Sequence, residues 1–294
     1  MKPLLLSTWS FGQGANEAAW PVLLHDGALA AAEAACAAAD LDCDVDSVGY
    51  GGLPDRSGRV SLDGAVMLSP SSFGGVCGVR RHQHPASIAR LVMERTDHVL
   101  LCGEDADCFA ARNGMGEAEL LAPSALEAWK RKGTRPAQGH DTISVIARDE
   151  SGTLATACST SGLAWKLPGR VGDAPIAGHG LYCFPGIGAA VATGTGEWIS
   201  GLCASFLAVE MLRRGASALD AVAEVLIRAE ACEAIDPKHQ LALIVLGADG
   251  GYASGSFRRG YRTAVRDESG GRLVEVDIVK RPAEAIPEHS GDLT

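Results

Sequence analysis

The stretch TISVIARDESGTLATACSTSG, residues 142 to 162, constrains the fold more than any other part of the chain. Two largely apolar runs flank Asp149-Glu150-Ser151-Gly152, a turn short enough to join only strands that run in opposite directions. The first run reads as a buried strand. A second hairpin, LALIVLGADGGYASGSF (241–257), turns at ADGG. Between the hairpins lie a small-residue strand, GAAVAT (188–193), and two helical stretches at about 197–213 and 217–231. The first half repeats this grouping. A strand is expected in MKPLLLST, a helix over the alanine-rich 26–39, a Gly-rich loop then a strand within 47–67, a helix over 85–94, a strand in HVLLCG, and a short helix stopped by Gly114. Strands grouped with strands and helices with helices predict antiparallel sheets covered by helices, an α+β class, and not an alternating βαβ pattern.

With 294 residues the chain is long enough for one large domain or two small ones, and folding would bury roughly three quarters of its unfolded surface. Residues 122–139 lose apolar periodicity and collect Lys, Arg, Gly and Pro, so a flexible linker is expected over 122–141, before the first hairpin. A net charge of −10 argues against nucleic acid or an anionic membrane as partner and leaves small polar or zwitterionic ligands open. The apolar run at the N-terminus is too short for a signal-peptide core, and no run of eighteen apolar residues occurs. Nine cysteines at irregular spacing, with no CxxC pair, read as reduced thiols of a cytoplasmic protein. His82 and His84 have metal-like spacing but no evident carboxylate or cysteine set, so a surface turn is expected there and no metal site. Trp20, Trp129, Trp165 and Trp198 are read as packing residues.

Three short segments carry chemistry. In AQGHDTISVI, His140, Asp141 and Thr142 stand where a polar stretch meets the buried strand. They are either a loop ending or a place where the chain cuts itself. A threonine hydroxyl is a weak nucleophile unless a base takes its proton, and the residue's own α-amine, titrating near 8, is such a base. An internal threonine gains that amine only when the preceding peptide bond breaks. Asp141 is placed to take the hydroxyl proton during an N-to-O acyl shift, and His140 to orient Asp141. In GAAVATGTGEWIS, a strand runs through Gly194-Thr195-Gly196 into a helix. The third glycine of a dinucleotide fingerprint is replaced by Ile199, so no dinucleotide cofactor is expected. The free N–H groups of such a turn stabilise an oxyanion, or the glycines serve only close packing. In KLPGRVGDAPIAG, Arg170 and Asp173 form either a solvated surface pair or a clamp, Arg forking onto a carboxylate while Asp receives an ammonium. A ligand carrying both groups on one carbon is an α-amino acid.

GHDTI, STSG, GRVGD-PI-G-G and GAA-ATG-GE, in this order and spacing, together with STWSF, SVGYGGLPD, SIARLVME and LLCGEDA, closely resemble the N-terminal-nucleophile asparaginases. The SVGYGG form favours their glycosylasparaginase branch. The resemblance covers most of residues 4–260. It implies a four-layer αββα sandwich, one domain over 1–294, and self-cleavage into chains 1–141 and 142–294. Carried over position by position, it makes Thr142 nucleophile and base, and Thr160 a hydrogen-bonding partner of its hydroxyl. Arg170 then holds the substrate α-carboxylate and Asp173 the α-ammonium, Thr193 and Gly194 form the oxyanion hole, and Trp9, Ser47 and Gly196 line the site. It further implies hydrolysis of the amide joining N-acetylglucosamine to asparagine through a β-aspartyl enzyme, with no metal or cofactor, by a homodimer of two-chain units. The sequence departs from the family at Ser144, where glycine is usual, at His179, at Thr195 and in CFPGIG (183–188). Ser144 is expected within reach of the bond to be cut and bears on the rate of self-cleavage, whereas the other changes fall on loops that border the leaving-group side. The readings that stand beside this one are therefore an isoaspartyl peptidase or plain asparaginase and an uncleaved amino-acid-binding homologue.

Overall fold

A computed structural model describes residues 1–131, 141–232 and 239–276. In chain order the elements up to residue 131 are β1 (Leu4–Thr8), α1 (Gly12–Asp26), α2 (Ala28–Asp40), β2 (Leu62–Ser69), β3 (Ser72–Val79), α3 (Pro85–Arg95), β4 (Leu100–Cys102), α4 (Gly103–Arg112) and α5 (Pro123–Arg131). From residue 141 on they are β5 (Ile143–Arg148), β6 (Leu154–Thr160), β7 (Leu181–Phe184), β8 (Gly188–Gly194), α6 (Gly196–Leu202), α7 (Ala204–Arg213), α8 (Ala218–Glu230), β9 (Leu241–Gly247), β10 (Tyr252–Ser256), β11 (Arg262–Asp267) and β12 (Gly270–Glu275).

The strands make two sheets, one ordered β12-β11-β1-β5-β6-β2-β3-β4 and one ordered β10-β9-β8-β7. Every neighbouring pair is antiparallel except β3 with β4. Because side chains alternate across a strand, a strand apolar at every position must be covered on both faces. That is what occurs. In β1, Leu5 packs toward helices α1 to α3, whereas Leu4 and Leu6 face the other sheet. In β9, Ile244 and Leu246 meet that first sheet, and Leu241, Leu243 and Val245 pack under α6, α7 and α8. The result is helices, sheet, sheet and helices, the αββα sandwich expected.

The structure departs from the sequence reading in places where tertiary contacts override local signals. The segment expected as a linker over 122–141 includes α5, nine residues long, with Ala125 buried and the Trp129 indole against Gly58. Residues 132–140 of that segment lie outside the described residues. Helix α1 escapes sequence reading because Gly12, Gly14 and Pro21 are breakers. It is held by Asn16, which donates to the Ala264 carbonyl of β11 and accepts from the Ser7 hydroxyl of β1. The helix expected over 197–213 is two, α6 and α7, separated by left-handed Cys203. His82 is no surface residue. It is fully buried, with its ring nitrogens each 3.0 Å from a carbonyl, of Gly116 and of Asp107.

Candidate active site

The first hairpin and β8 bring Thr142 and Thr193 together across the two sheets. Thr142 is 1% exposed, and its amide N–H, part of the bond to Asp141, donates to the Thr193 hydroxyl at 3.0 Å. The same Thr193 oxygen accepts from the Trp9 indole at 2.9 Å. Trp9 reaches it because its backbone is left-handed, φ 65°, which turns the chain out of β1. With two N–H groups on its oxygen, the Thr193 hydroxyl keeps its own proton for a further acceptor.

Strand register places Thr160. Ile143 pairs with Ser159, so one step further along the ladder Thr160 stands across from Thr142. The Thr160 hydroxyl accepts from Gly162 N–H at 3.0 Å and lies 3.4 Å from the Ser47 carbonyl, which also accepts from Ser161 N–H. Among the described residues, the Thr142 and Ser47 hydroxyls are buried with no hydrogen-bond partner. Buried polar groups are nearly always paired, so an unpaired hydroxyl on Thr142, beside the bond to Asp141, marks a place built for chemistry or ligand rather than for stability.

Ser144 does not point at that bond. Its hydroxyl donates to the Ala192 carbonyl of β8 at 2.9 Å, tying the Thr142 strand to the strand that carries Thr193. Asp141 is half-buried, and burial, reinforced by the charge of Asp46, pushes its carboxyl up to about 6. His140 lies outside the described residues.

Gly194, at the end of β8, has φ +117°, and a side-chain carbon there would come 2.2 Å from the Gln240 carbonyl, so only glycine fits. Two residues on, a Cβ at Gly196 would lie 2.7 Å from Asp173 Oδ1 and 2.9 Å from Arg170 Nη2. Gly196 thus marks where the turn after β8 meets the Arg170–Asp173 loop. Asp173 is 2% exposed with Oδ2 unpartnered, and its carboxyl is pushed up to about 7 by burial, against the pull of Arg170 and with the push of Glu197. Below this loop, buried Lys166 donates to the Ser61 carbonyl at 3.2 Å, and fully buried Asp63 accepts from Gly78 N–H at 2.8 Å. Burial lowers the Lys166 pKa and raises that of Asp63, each opposed by the other's charge.

Three residues of this arrangement are absent from the sequence reading. Glu197, in the first turn of α6, forks onto Arg170, with Nε to Oε1 at 2.9 Å and Nη2 to Oε2 at 3.0 Å. Its closeness to the Gly194–Gly196 turn was the available signal. Lys166, inside an apolar and glycine-rich loop, was visible as a charge with nowhere to go. Thr8, at the end of β1, donates to the Thr142 carbonyl and gives no signal in sequence.

A sequence profile described as asparaginase matches residues 7–274. Among similar proteins, one from Elizabethkingia miricola, named N(4)-(beta-N-acetylglucosaminyl)-L-asparaginase, is 40% identical over 284 residues, covering 92% of this chain and 84% of that protein. Proteins of the same name from Mus musculus and Rattus norvegicus are 33% and 32% identical, covering 77% and 87% of this chain and 77% and 84% of their own lengths.

Proposed function

The chain belongs to the glycosylasparaginase (type 2 asparaginase) family, and on that premise we propose that it cuts itself before Thr142 and then hydrolyses N4-(β-N-acetylglucosaminyl)-L-asparagine. The observation that carries the proposal is the buried, unpartnered Thr142 hydroxyl on a residue whose N–H rests on Thr193.

In the cut, Asp141 takes the hydroxyl proton, and the Thr142 oxygen attacks the Asp141 carbonyl carbon. The C–N bond breaks as the nitrogen gains a proton, leaving an ester that water hydrolyses. A carboxyl basic enough to titrate near 6 suits that task at neutral pH. The products are a chain ending at Asp141 and one beginning with the free amine of Thr142. In turnover that amine takes the Thr142 hydroxyl proton as the oxygen attacks the substrate's side-chain amide. The Thr193 hydroxyl and the Gly194 N–H receive the oxyanion, and the amine hands the proton to the departing glycosylamine. Water then releases aspartate from the β-aspartyl ester.

Arg170 binds the α-carboxylate and Asp173 the α-ammonium, Thr160 tunes the nucleophile, and Trp9, Ser47 and Gly196 shape the site. His140 orients Asp141 in the uncut chain. The two-chain unit pairs into a dimer, and the nine unpaired thiols suit a reducing, cytoplasmic setting.

Incubation with N4-(β-N-acetylglucosaminyl)-L-asparagine, followed by release of aspartate, tests the reading. Turnover by the cut protein and none by Thr142→Ala is the expected result. Hydrolysis of β-aspartyl dipeptides alone would reassign the leaving group, and no hydrolysis of either would overturn the proposal.

A further inference from the structure

We propose that Thr8 is a positioning residue that holds the first residue of the 142–294 chain in place once the bond before it is broken. The inference rests on the self-cleavage proposed above.

On its β5 side, β1 keeps backbone pairing only as far as Ser7 with Val145. Beyond that the left-handed turn at Trp9 takes the main chain away, which carries the indole to Thr193 and leaves the start of β5 without a backbone neighbour there. The Thr8 side chain fills that role. Its hydroxyl accepts from Ser144 N–H at 2.9 Å and donates to the Thr142 carbonyl at 2.5 Å, one acceptor and one donor as a strand would offer. Thr8 is fully buried, so no water substitutes.

Before cleavage, Thr142 is held by covalent chain on both sides. Afterwards it is a chain end, and chain ends fray unless something ties them. Thr8 lies on the other fragment, so its two bonds reach across the cut and bracket Ile143. A nucleophile that works only when its hydroxyl, its own amine and the Thr193 hydroxyl stay aligned loses rate when its residue wanders. The tie therefore matters more to the cut enzyme than to the uncut chain.

The test compares wild type, Thr8→Val, which keeps the shape and removes the hydroxyl, and Thr8→Ser, which restores it. Three readings are taken: the rate at which fragments appear, kcat and KM of the cut protein on N4-(β-N-acetylglucosaminyl)-L-asparagine, and hydrogen exchange of the Ser144 amide. For Thr8→Val, the loss of a bond that leaves two buried groups unpaired predicts a fall in kcat of about ten- to hundredfold. KM stays within about twofold, because the clamp for the amino-acid end is untouched. Self-cleavage slows by less than kcat does, Ser144 exchange quickens, and Thr8→Ser recovers most of each loss. Unchanged kcat, equal losses in cleavage and turnover, failure of Thr8→Val to cut at all, or no rescue by serine would each overturn the proposal. A wild-type chain that stays whole would also remove its basis, and is told apart because it shows before any variant is compared.

Discussion

Around Thr142 the polar groups are hydroxyls and amides whose places strand register sets, with the Asp141 carboxyl as the acid beside the bond. Around Arg170 they are ions, carried on a loop punctuated by glycine and proline. Thr160 and Thr193 sit on strands of two packed sheets and Thr142 stands one residue before a third, so their spacing is fixed by ladders and by the apolar layer between them. Arg170 and Asp173 have no strand to hold them. Their arrangement depends on Glu197, on the close approach of Gly196, and on the buried charges of Lys166 and Asp63 beneath. A bond-making site tolerates little movement, which strands provide. A site that recognises charge tolerates more movement but needs counter-charges kept out of water.

The widest separation between the two regions comes from removing one group on each side. Thr142→Ala abolishes both self-cleavage and turnover and leaves a folded, full-length chain, since a methyl fits where the hydroxyl had no partner. Two normal fragments from that variant on a gel would remove Thr142 from the cut. Arg170→Ala leaves cleavage intact and raises KM by about 100-fold or more, because two charge-assisted bonds to a carboxylate are lost. Arg170→Lys keeps the charge but not the fork, and recovers only part of that loss. Unchanged KM on every β-aspartyl substrate would show that the loop does not bind the amino-acid end.

The two regions also separate by pH. Burial raises Asp173 from 3.8 to about 7, so its negative charge, and the affinity for an ammonium, is lost as pH falls through about 7. Burial raises Asp141 to about 6, so its basic form, and the rate of self-cleavage, is lost as pH falls through about 6. KM for the amino-acid end therefore begins to rise at a higher pH than self-cleavage begins to slow. Coincident midpoints in the two profiles would contradict the assignment. The sign for stability is opposite to that of a salt-bridged acid. Neutral Asp173 suits its buried place, so its contribution to stability is full below about pH 4 and falls as pH rises toward 7, where the unfolded chain has ionised and the folded one has not. Thermal melts across that range should show the decline.

The smallest effect is expected at Ser144. Ser144→Gly removes the bond to the Ala192 carbonyl and loosens the strand, for a stability loss of about 1–2 kcal/mol. The fragments still form, because the serine hydroxyl faces β8 and not the bond to be cut. Loss of cleavage in this variant would show that the tie between sheets is needed for the chemistry.

The contrast also explains what could be read from sequence. The apolar runs 142–148 and 241–247 announce strands of hairpins, so antiparallel sheets under helices were legible from them, whereas the four-layer order followed only from the family resemblance. Arg170 and Asp173 were legible as either a solvated pair or a clamp, because opposite charges three apart in a glycine-rich loop suit both uses, and only the family resemblance assigned them the two charged groups of a substrate. What stayed hidden depends on distant contacts. Thr8 is an ordinary strand residue until the left-handed turn at Trp9 makes its hydroxyl the last pairing partner of β5. Helix α1 carries two glycines and a proline that local propensity reads as breaks, and Asn16, the Glu17–Arg266 ion pair and packing against α2 and the sheet hold it together. His82, read as exposed, is buried by carbonyls from 25 and 34 residues away.

The bond between Asp141 and Thr142 is the first thing to measure. Intact mass of freshly purified protein, with N-terminal sequencing of any fragments, measures it directly. Two fragments are expected, one beginning Thr-Ile-Ser-Val. A single chain of 294 residues that never divides would contradict the proposed cut.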